Sequence, residues 1–579
     1  MAYHVTMYID IVPNRGSPPA KLLRRAWREG GKVRKETVAN LSALPMDQIQ
    51  QLKRVLKGEK LVSVDDTFEI VRSRPHGDVA AVVGTMRRLG MAELLSTRKH
   101  RKRQLVLAMI AARILDPCSK LATAQRLSGE TRSGSLAEVL GVGSADADEL
   151  YEALDWLEAG QARIEKKLAV RHLEEGQRVL WDATVVPFES HTCELAAFGR
   201  SKKGLSQLQV LFGLLATPEG VPVAVEVFAG NTSDPETVGP ALERVQQRFG
   251  LKRITMVGDR GMITERRIQQ ELRPRGVDWI TALRAPTIRK LYKEGPLQLS
   301  LFDEQDLAEI HSPDFPGERL IACRNPLLAA ERARKRRELL AATEPKLEGI
   351  VRATERDKRP LRGKDKIGVR VGRVLERSKV GKHFRYRITE ESFHFERDER
   401  SIAEEAALDG LYVIRTSVAE AELGAEAVVR AYKELSEVEQ AFRILKDFGL
   451  EVEPIRHHLE KRVRAHVFLC MLAYYVRHHM QKTLAPLLLT DHDPEAGRAR
   501  RTSVVAPARR SQAAERKVQR QRTDDDEPAR SFDTLMADLS TLTKNETRVH
   551  GTEIRFDKYS QPTPLQAKAF SLLGVPYRM

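Results

Sequence analysis

Apolar and polar positions change period several times along the chain. Tyr3 to Val12 alternates with the period of two that a half-exposed strand shows, Gly30-Gly31 marks a turn, and Lys32 to Leu41 alternates again. This predicts a small strand-rich unit over residues 1–83. From Gly84 to about Arg171 the apolar residues recur at helical spacing, so residues 84–174 are expected to be helical. The basic run Arg98-Lys99-His100-Arg101-Lys102-Arg103 leads into an apolar helix, Leu105–Leu115; the run is either a solvated helix start or a patch that contacts phosphate.

The next stretch is the most ordered. Val179 to Val186 is a nearly continuous apolar strand interrupted by Asp182. Gln207 to Ala216 is a second strand, Pro218-Glu219-Gly220 a turn, and Val221 to Ala229 a third strand. Ser233-Asp234-Pro235-Glu236 combines an N-cap, a first-turn proline and a capping-box glutamate, and starts a helix that ends near Gly250. The strand Arg253–Val257 runs into Gly258-Asp259-Arg260-Gly261, and a helix near Ile263–Leu272 and the strand Val277–Arg284 follow. The order β-β-β-α-β-α-β is the layout of a ribonuclease-H-like core, an α/β fold with helices packed on a mixed sheet.

Residues 175–284 are read as the first part of that core. Residues 285–405 break its pattern with a charged helix around Leu328–Ala342, the basic stretch Arg352–Lys366 and strands such as Phe384–Ile388, and are read as a strand-rich insertion domain. The core resumes over 406–490, with a turn at Asp409-Gly410, the strand Leu411–Ile414, a long helix from about Ala425 to Lys446 and a second apolar helix, about Arg462–Met480. Residues 491–530, rich in Arg, Ala, Ser and Asp, are expected to be a disordered linker, and 531–579 a C-terminal segment that docks back.

Composition narrows the class. Lys plus Arg total 97 against 80 for Asp plus Glu, a net charge of +17 over 579 residues, which favours a polyanionic partner. The length suits several domains. The four cysteines, Cys118, Cys193, Cys323 and Cys470, lie far apart and include no CxxC pair, so neither a disulfide framework nor a zinc ribbon is indicated, and a reducing cytoplasm fits. The N-terminus lacks the pattern of a signal peptide, and Leu105–Leu115 is too short to span a bilayer, so a soluble protein without a membrane partner is expected.

Three carboxylates stand out. Asp182 lies inside an apolar strand, where an unpaired carboxylate costs several kcal/mol, on the order of 2–7, unless a cation or donor meets it. Asp259 ends another apolar strand beside a glycine-flanked turn that lets backbone approach a ligand. Glu439 shares a helical stripe with Tyr432 and Lys446, since seven-residue steps drift only about 20° around a helix. The stripe directs Glu439 towards the core side, leaving Glu434 and Glu437 for solvent. Carboxylates that converge on two divalent ions are what metal-assisted phosphodiester chemistry requires. Read singly, each of the three is also an ordinary core-edge carboxylate satisfied by arginine or backbone donors.

These segments resemble the DDE transposases of bacterial insertion sequences, specifically the insertion-sequence-four superfamily with its motif Y-(2)-R-(3)-E-(6)-K. Tyr432, Glu439 and Lys446 match that motif, whereas the arginine position is Leu435; Lys433 and Arg443 are the neighbouring cations. Trp181-Asp182-Ala183-Thr184, Phe228-Ala229-Gly230-Asn231-Thr232-Ser233-Asp234, Val257-Gly258-Asp259-Arg260-Gly261-Met262 and Pro454-Ile455-Arg456-His457-His458 through His466 carry further likeness, covering about 180–480. The intervals, 259 − 182 = 77 and 439 − 259 = 180 residues, agree with an insertion after the second aspartate.

The resemblance implies a transposase in which Asp182, Asp259 and Glu439 bind two Mg²⁺ or Mn²⁺ ions and cut element ends in double-stranded DNA at terminal inverted repeats. The freed 3′-hydroxyl then joins target DNA. Tyr432, Lys446 and Arg443 are expected to contact substrate phosphate, and residues 84–174 and the insertion to supply further DNA contacts. Pairing two ends implies at least a homodimer on DNA, at the bacterial nucleoid in the cytoplasm. A ribonuclease-H-like nuclease without strand transfer, and a non-catalytic DNA-binding derivative of a transposase, remain the alternatives. His466 and Cys470, at i and i+4, have the spacing of a zinc pair but no second pair accompanies them, so helix packing is expected there. His457-His458 and His478-His479 read as polar faces, and Gly230-Asn231 as a turn near the site.

Overall fold

The computed structural model describes residues 6–59, 67–128, 133–190, 192–200, 206–302, 305–447, 449–501 and 503–579. The beginning of the first predicted strand, residues 3–5, lies outside them. The chain divides into two compact units, residues 1–74 with 544–560 and residues 75–543 with 561–579.

In the smaller unit, β1 (Thr6–Asn14), β2 (Ser17–Glu29) and β3 (Lys32–Asn40) form an antiparallel meander. Helix α1 (Met46–Leu56) packs beside β1, burying Ile49 completely, while Ile9 on β1 is also buried. β4 (Phe68–Pro75) pairs with the hairpin of Thr543–Val549 and Arg555–Tyr559 from the far end of the chain. That pairing has no local signature, because the strands involved are some 470 residues apart in sequence.

The larger unit opens with helices. Gly77–Arg88, Arg101–Leu115 and the 26-residue α2 (Ala147–His172) are the principal ones, and α2 starts at a complete capping box between Asp146 and Glu149. The strands β5 (Arg178–Pro187), β6 (Ala197–Arg200), β7 (Ser206–Ala216), β8 (Pro222–Ala229), β9 (Thr255–Val257), β10 (Asp278–Ala282), β11 (Leu307–Ile310) and β12 (Arg319–Arg324) follow. β6 was not anticipated; it is four residues long and adds an outer strand to β7. The capping box at Ser233 and Glu236 forms as read, but the helix it starts passes from a 3-10 turn through an α segment, Val238–Glu243, into a π turn at Arg244–Arg248.

The insertion differs from the expected strand-rich domain. Its strands β11 and β12 join the main sheet. Beyond them the chain builds two long helices, α3 (Pro326–Thr354) and α4 (Lys364–Ser378), and one hairpin, β13 (Phe384–Ile388) with β14 (Phe393–Arg397). These share a small core of their own, including Leu340, Leu347, Ile350, Ile367, Val371, Phe384 and Phe393. β15 (Leu411–Thr416) returns to the main sheet between β12 and β10.

The resulting nine-stranded sheet has the order β11-β12-β15-β10-β9-β5-β7-β6, with β8 also on β7. β9 is parallel to both β5 and β10, and the other pairs are antiparallel, so the sheet is mixed and flanked by helices. The predicted helix Ala425–Lys446 is broken: α5 (Ala425–Lys433) ends and α6 (Leu435–Lys446) begins at Glu434. Helix α7 (Glu460–Leu484) is buried on nearly every side and packs on α2, on Arg101–Leu115 and on β8, forming the centre of the main core. Its apolar middle, Val467–Val476, is buried throughout.

Residues 491–530, expected to be disordered, carry the helices Pro494–Ala499 and Gln512–Arg520. They are tied down by polar contacts that composition does not reveal: Asp491 accepts from the Ser511 amide at 2.7 Å, and Lys517 donates to the Ala485 carbonyl at 2.8 Å. Among the described residues no helix is long and apolar enough to cross a membrane.

Candidate active site

Asp182 occupies the middle of β5 and is half-buried rather than enclosed; its Oδ1 accepts from the Ala183 amide at 2.8 Å. The preceding residue fixes the strand. Trp181 is 1 % exposed, and its Nε1 donates to Thr237 Oγ1 at 3.1 Å. Its ring lies on Gly213 of β7, where a Cβ would come within 2.3 Å of the ring, so only glycine leaves the tryptophan its place.

Asp259 stands two residues beyond β9 and is exposed. Its backbone carbonyl accepts from Met262 and Ile263 at 2.9 and 3.0 Å, which closes the turn, and its Oδ1 accepts from the Arg260 amide at 2.7 Å. Leu180 of β5 and Val257 of β9 are register partners in parallel strands. Each aspartate lies two residues past its member of that pair, on neighbouring strands running the same way. The two carboxylates therefore reach equivalent levels of the sheet.

The third carboxylate comes from α6. Val438, Ala441, Phe442 and Leu445 are buried, and Phe442 meets Phe212 of β7 edge to face at 5.5 Å, which lays the helix on the sheet. Glu439 itself is exposed, not turned to the core side; Glu434 and Glu437, assigned to solvent, are half-buried. The buried face of α6 accounts for the exposure of Glu439, which lies about 110° around the helix from the centre of Val438, Ala441, Phe442 and Leu445. Glu434 pairs with Arg178 at the start of β5 at 3.2 Å, and burial pushes the carboxyls of Glu434 and Glu437 up.

Lys446 Nζ donates to the Val185 carbonyl at 2.6 Å and to Thr184 Oγ1 at 3.2 Å, so α6 is pinned to β5. Tyr432, on α5, donates a long 3.5 Å hydrogen bond to Asp259 Oδ1. Burial and then the negative charge of Asp259 raise its phenol above the ordinary value, against the pull of Arg260, with Glu439 adding to the rise. Tyr432 thus feels both Asp259 and Glu439. Leu435 is packed against the main core. Lys433 is committed elsewhere: its Nζ donates to the carbonyls of Val504, Val505 and Ala506 at 2.6–3.1 Å. Arg443 is exposed on α6.

Residues 174–476, more than half of the chain, match the family model of the transposase DDE domain, and residues 10–64 match that of the IS1634 family transposase N-terminal domain. The chain belongs to the insertion-sequence DDE transposases. No curated protein matches it. The transposase's DDE match spans Asp182, Asp259, Tyr432, Glu439 and Lys446 together with the whole insertion.

A hard divalent cation takes oxygen donors, and the three carboxylates with the Tyr432 phenol form an all-oxygen set on partly exposed positions. The structure aligns Asp182 with Asp259 and brings Tyr432 to Asp259. It does not gather three acidic, histidine or cysteine side chains into a metal-sized cluster among the described residues.

The remaining candidates have partners within the fold. His466 and Cys470 are buried in the main core, with His466 Nε2 on the Val452 carbonyl at 3.1 Å. His478 is buried too, and His479 rests on Tyr475, so neither forms a polar face. His458 bonds Ser190 at 2.5 Å. In the basic run, Arg101 and Lys102 pair with Glu149 and Glu152, and Arg103 donates to the Ser96 carbonyl. Gly230 sits so close to the Gln209 carbonyl that a Cβ there would lie at 1.9 Å. The tie of Lys446 to Thr184 and Val185 was not foreseen, although Thr184 follows Asp182 in the quoted motif and polar residues in apolar strands invite the question of what they bond.

Proposed function

We propose that this transposase cleaves the ends of its insertion sequence and joins them to target DNA, using Asp182, Asp259 and Glu439 as the acidic triad. The observation that supports this best is the shared register of Asp182 and Asp259 on adjacent parallel strands, with the helix of Glu439 fastened to the same strand by Lys446. Spacing of Tyr432, Glu439 and Lys446 also favours membership of the insertion-sequence-four superfamily, with Leu435 as the departure.

DDE transposases typically use divalent metals, and Asp182, Asp259 and Glu439 would hold Mg²⁺ or Mn²⁺ here. The bound ions supply charge stabilisation to the attacking and leaving oxygens of a phosphodiester. The protein's own share is positional. Trp181 and Gly213 keep β5 in place so that Asp182 is presented at a fixed level. The turn at Asp259 presents its carboxylate at the strand end, where the Tyr432 phenol orients it. Lys446 holds α6, and with it Glu439, at a constant distance from β5. Double-stranded DNA carrying the element's inverted repeats is the substrate, and two element ends call for a dimer on DNA.

The test compares wild type with Asp182→Ala on duplexes ending in the inverted repeats that flank the coding region, in Mg²⁺. The variant is expected to bind the duplex and to lose cleavage by about 100-fold or more. Wild-type rates in the variant would remove Asp182 from the site. Cleavage by wild type without joined products would reduce the activity to that of a nuclease.

A further inference from the structure

The insertion lobe carries a feature that the acidic site does not use. On α4, Ile367 and Val371 face the lobe's own core, while Lys366, Arg370, Arg373 and Arg377 recur at steps of four, three and four residues. At 100° and 1.5 Å per residue these four fall within an arc of about 60° and form a stripe about 16 Å long. All four are exposed, and among the described residues none of them is held in an ion pair.

Other cations of the lobe, though not all, are paired. Arg334 pairs with Glu338 at 2.7 Å, Lys335 with Glu331 at 2.6 Å, Arg385 with Asp398 at 3.1 Å, Arg397 with Glu344 at 2.5 Å, and Arg336 with Asp409. Like charges three or four apart destabilise a helix by roughly 0.2–0.5 kcal/mol per pair. Of the acids on α4, Asp365 lies about 110° from the centre of the stripe, and Glu376, at i+3 from Arg373, forms no ion pair with it among the described residues. Gly372 is exposed, with nothing within 4 Å of where its Cβ would be, so the helix is low beside the stripe and a backbone can come close. A line of unpaired cations of this length matches a run of phosphates.

We propose that α4 lies along the phosphate backbone of duplex DNA and holds it through Lys366, Arg370, Arg373 and Arg377, without reading sequence. The proposal rests on the transposase reading and adds to it a surface remote in sequence from the acidic triad. Four phosphate contacts would contribute about −3.6 to the slope of log affinity against log salt, since each contributes about −0.9.

The test is fluorescence anisotropy of the full chain on labelled duplexes of about 30 base pairs, with and without an element end, between 50 and 200 mM KCl. Arg370→Gln with Arg373→Gln is expected to make the slope shallower by about 1.8 on both duplexes, so that affinity falls about tenfold less over that range than it does for wild type. Arg334→Gln with Lys335→Gln removes the same charge from the same lobe at paired positions and is expected to keep the wild-type slope. Arg370→Lys with Arg373→Lys keeps the charge and should keep the slope, which guards against a folding defect. An unchanged slope in the Arg370/Arg373 glutamine variant, or an equal change in the Arg334/Lys335 variant, overturns the contact alone. Failure of the wild type to bind either duplex overturns the transposase reading and this contact with it.

Discussion

Lys446 donates to the Val185 carbonyl at 2.6 Å, which ties the last turn of α6 to β5 three residues beyond Asp182. The same ammonium reaches Thr184 Oγ1 and lies 3.8 Å from Glu453. In the proposed reading, Lys446 is thereby a positioning residue for Glu439.

Replacing Lys446 by methionine keeps the apolar stem and removes the donors. The expected cost is about 1–2 kcal/mol in urea unfolding, because the Val185 carbonyl loses a charged partner. Cleavage should fall further, by about 10- to 100-fold, with Lys446→Arg recovering part of it. If Lys446→Met cleaves within about twofold of wild type while unfolding at lower urea, the tie serves stability alone.

Tyr432→Phe separates the phenol from the ring. The ring is half-buried and stays, so stability should change by less than about 1 kcal/mol. Asp259 loses the hydroxyl that orients it, and the expected result is a drop of about tenfold in cleavage with more Mg²⁺ needed for half the maximal rate. A Mg²⁺ titration superimposable on that of wild type would show the hydroxyl to be idle.

Strong periodic segments were legible in the sequence. The positions of β5, β7 and β8 follow from apolar runs separated by a Pro-Glu-Gly turn, and the capping box at Ser233 marks its helix start within the chain to the residue. Asp182 and Asp259 were visible because each interrupts or ends an apolar strand. What was hidden depends on distant partners. Nothing near Glu434 announces a helix break, and the partners of this turn, Arg178 for Glu434 and the carbonyls of Val504–Ala506 for Lys433, are distant in sequence. The strands β11 and β12 were absorbed into the insertion because they join the sheet through β15, and partners that far apart, 416 − 319 = 97 residues for Arg319 and Thr416, leave no trace in local spacing. Residues 491–530 looked disordered from composition, yet single contacts such as Asp491 with Ser511 hold them.

The junction between insertion and core rests on a buried charge group. Glu318, just before β12, accepts from Arg415 Nε of β15 at 2.6 Å, from Trp279 Nε1 of β10 at 3.3 Å and from Arg273 at 3.2 Å. Arg415 is 4 % exposed. Glu318→Ala leaves that guanidinium with only Glu265 as its carboxylate, and the expected loss is about 3–5 kcal/mol in urea unfolding. A loss below about 1 kcal/mol would mean that water or Glu265 fully replaces Glu318.

Acid should unfold this protein through its histidines before its carboxylates. Burial holds His457 and His478 down to about 3 and His479 to about 4, and holds His466 well below the ordinary value; nearby cations, including Lys120 and Arg113 for His457, act in the same direction. In the unfolded chain these imidazoles titrate near 6.5. Between pH 6.5 and about 4 the unfolded state therefore binds more protons, so stability is fully present above pH 6.5 and is lost as pH falls. Each histidine contributes up to about 1.4 kcal/mol per pH unit in that window. The buried carboxyls of Asp78, Glu165, Glu434 and Glu437, which are raised, oppose the trend, but burial also lowers His100, His172 and His383, so seven histidines outweigh four carboxyls. Lys120 extends the slope upward: burial lowers it to about 7, the unfolded chain holds its proton to 10.5, and stability rises with pH between those values. Urea midpoints at pH 4.5, 5.5, 6.5 and 8 should climb throughout. His478→Gln should flatten the acid limb by about one histidine's share, and Lys120→Met should flatten the alkaline limb while raising stability at pH 6.5. Midpoints that stay level from pH 6.5 down to 4.5 would place these histidines in contact with water.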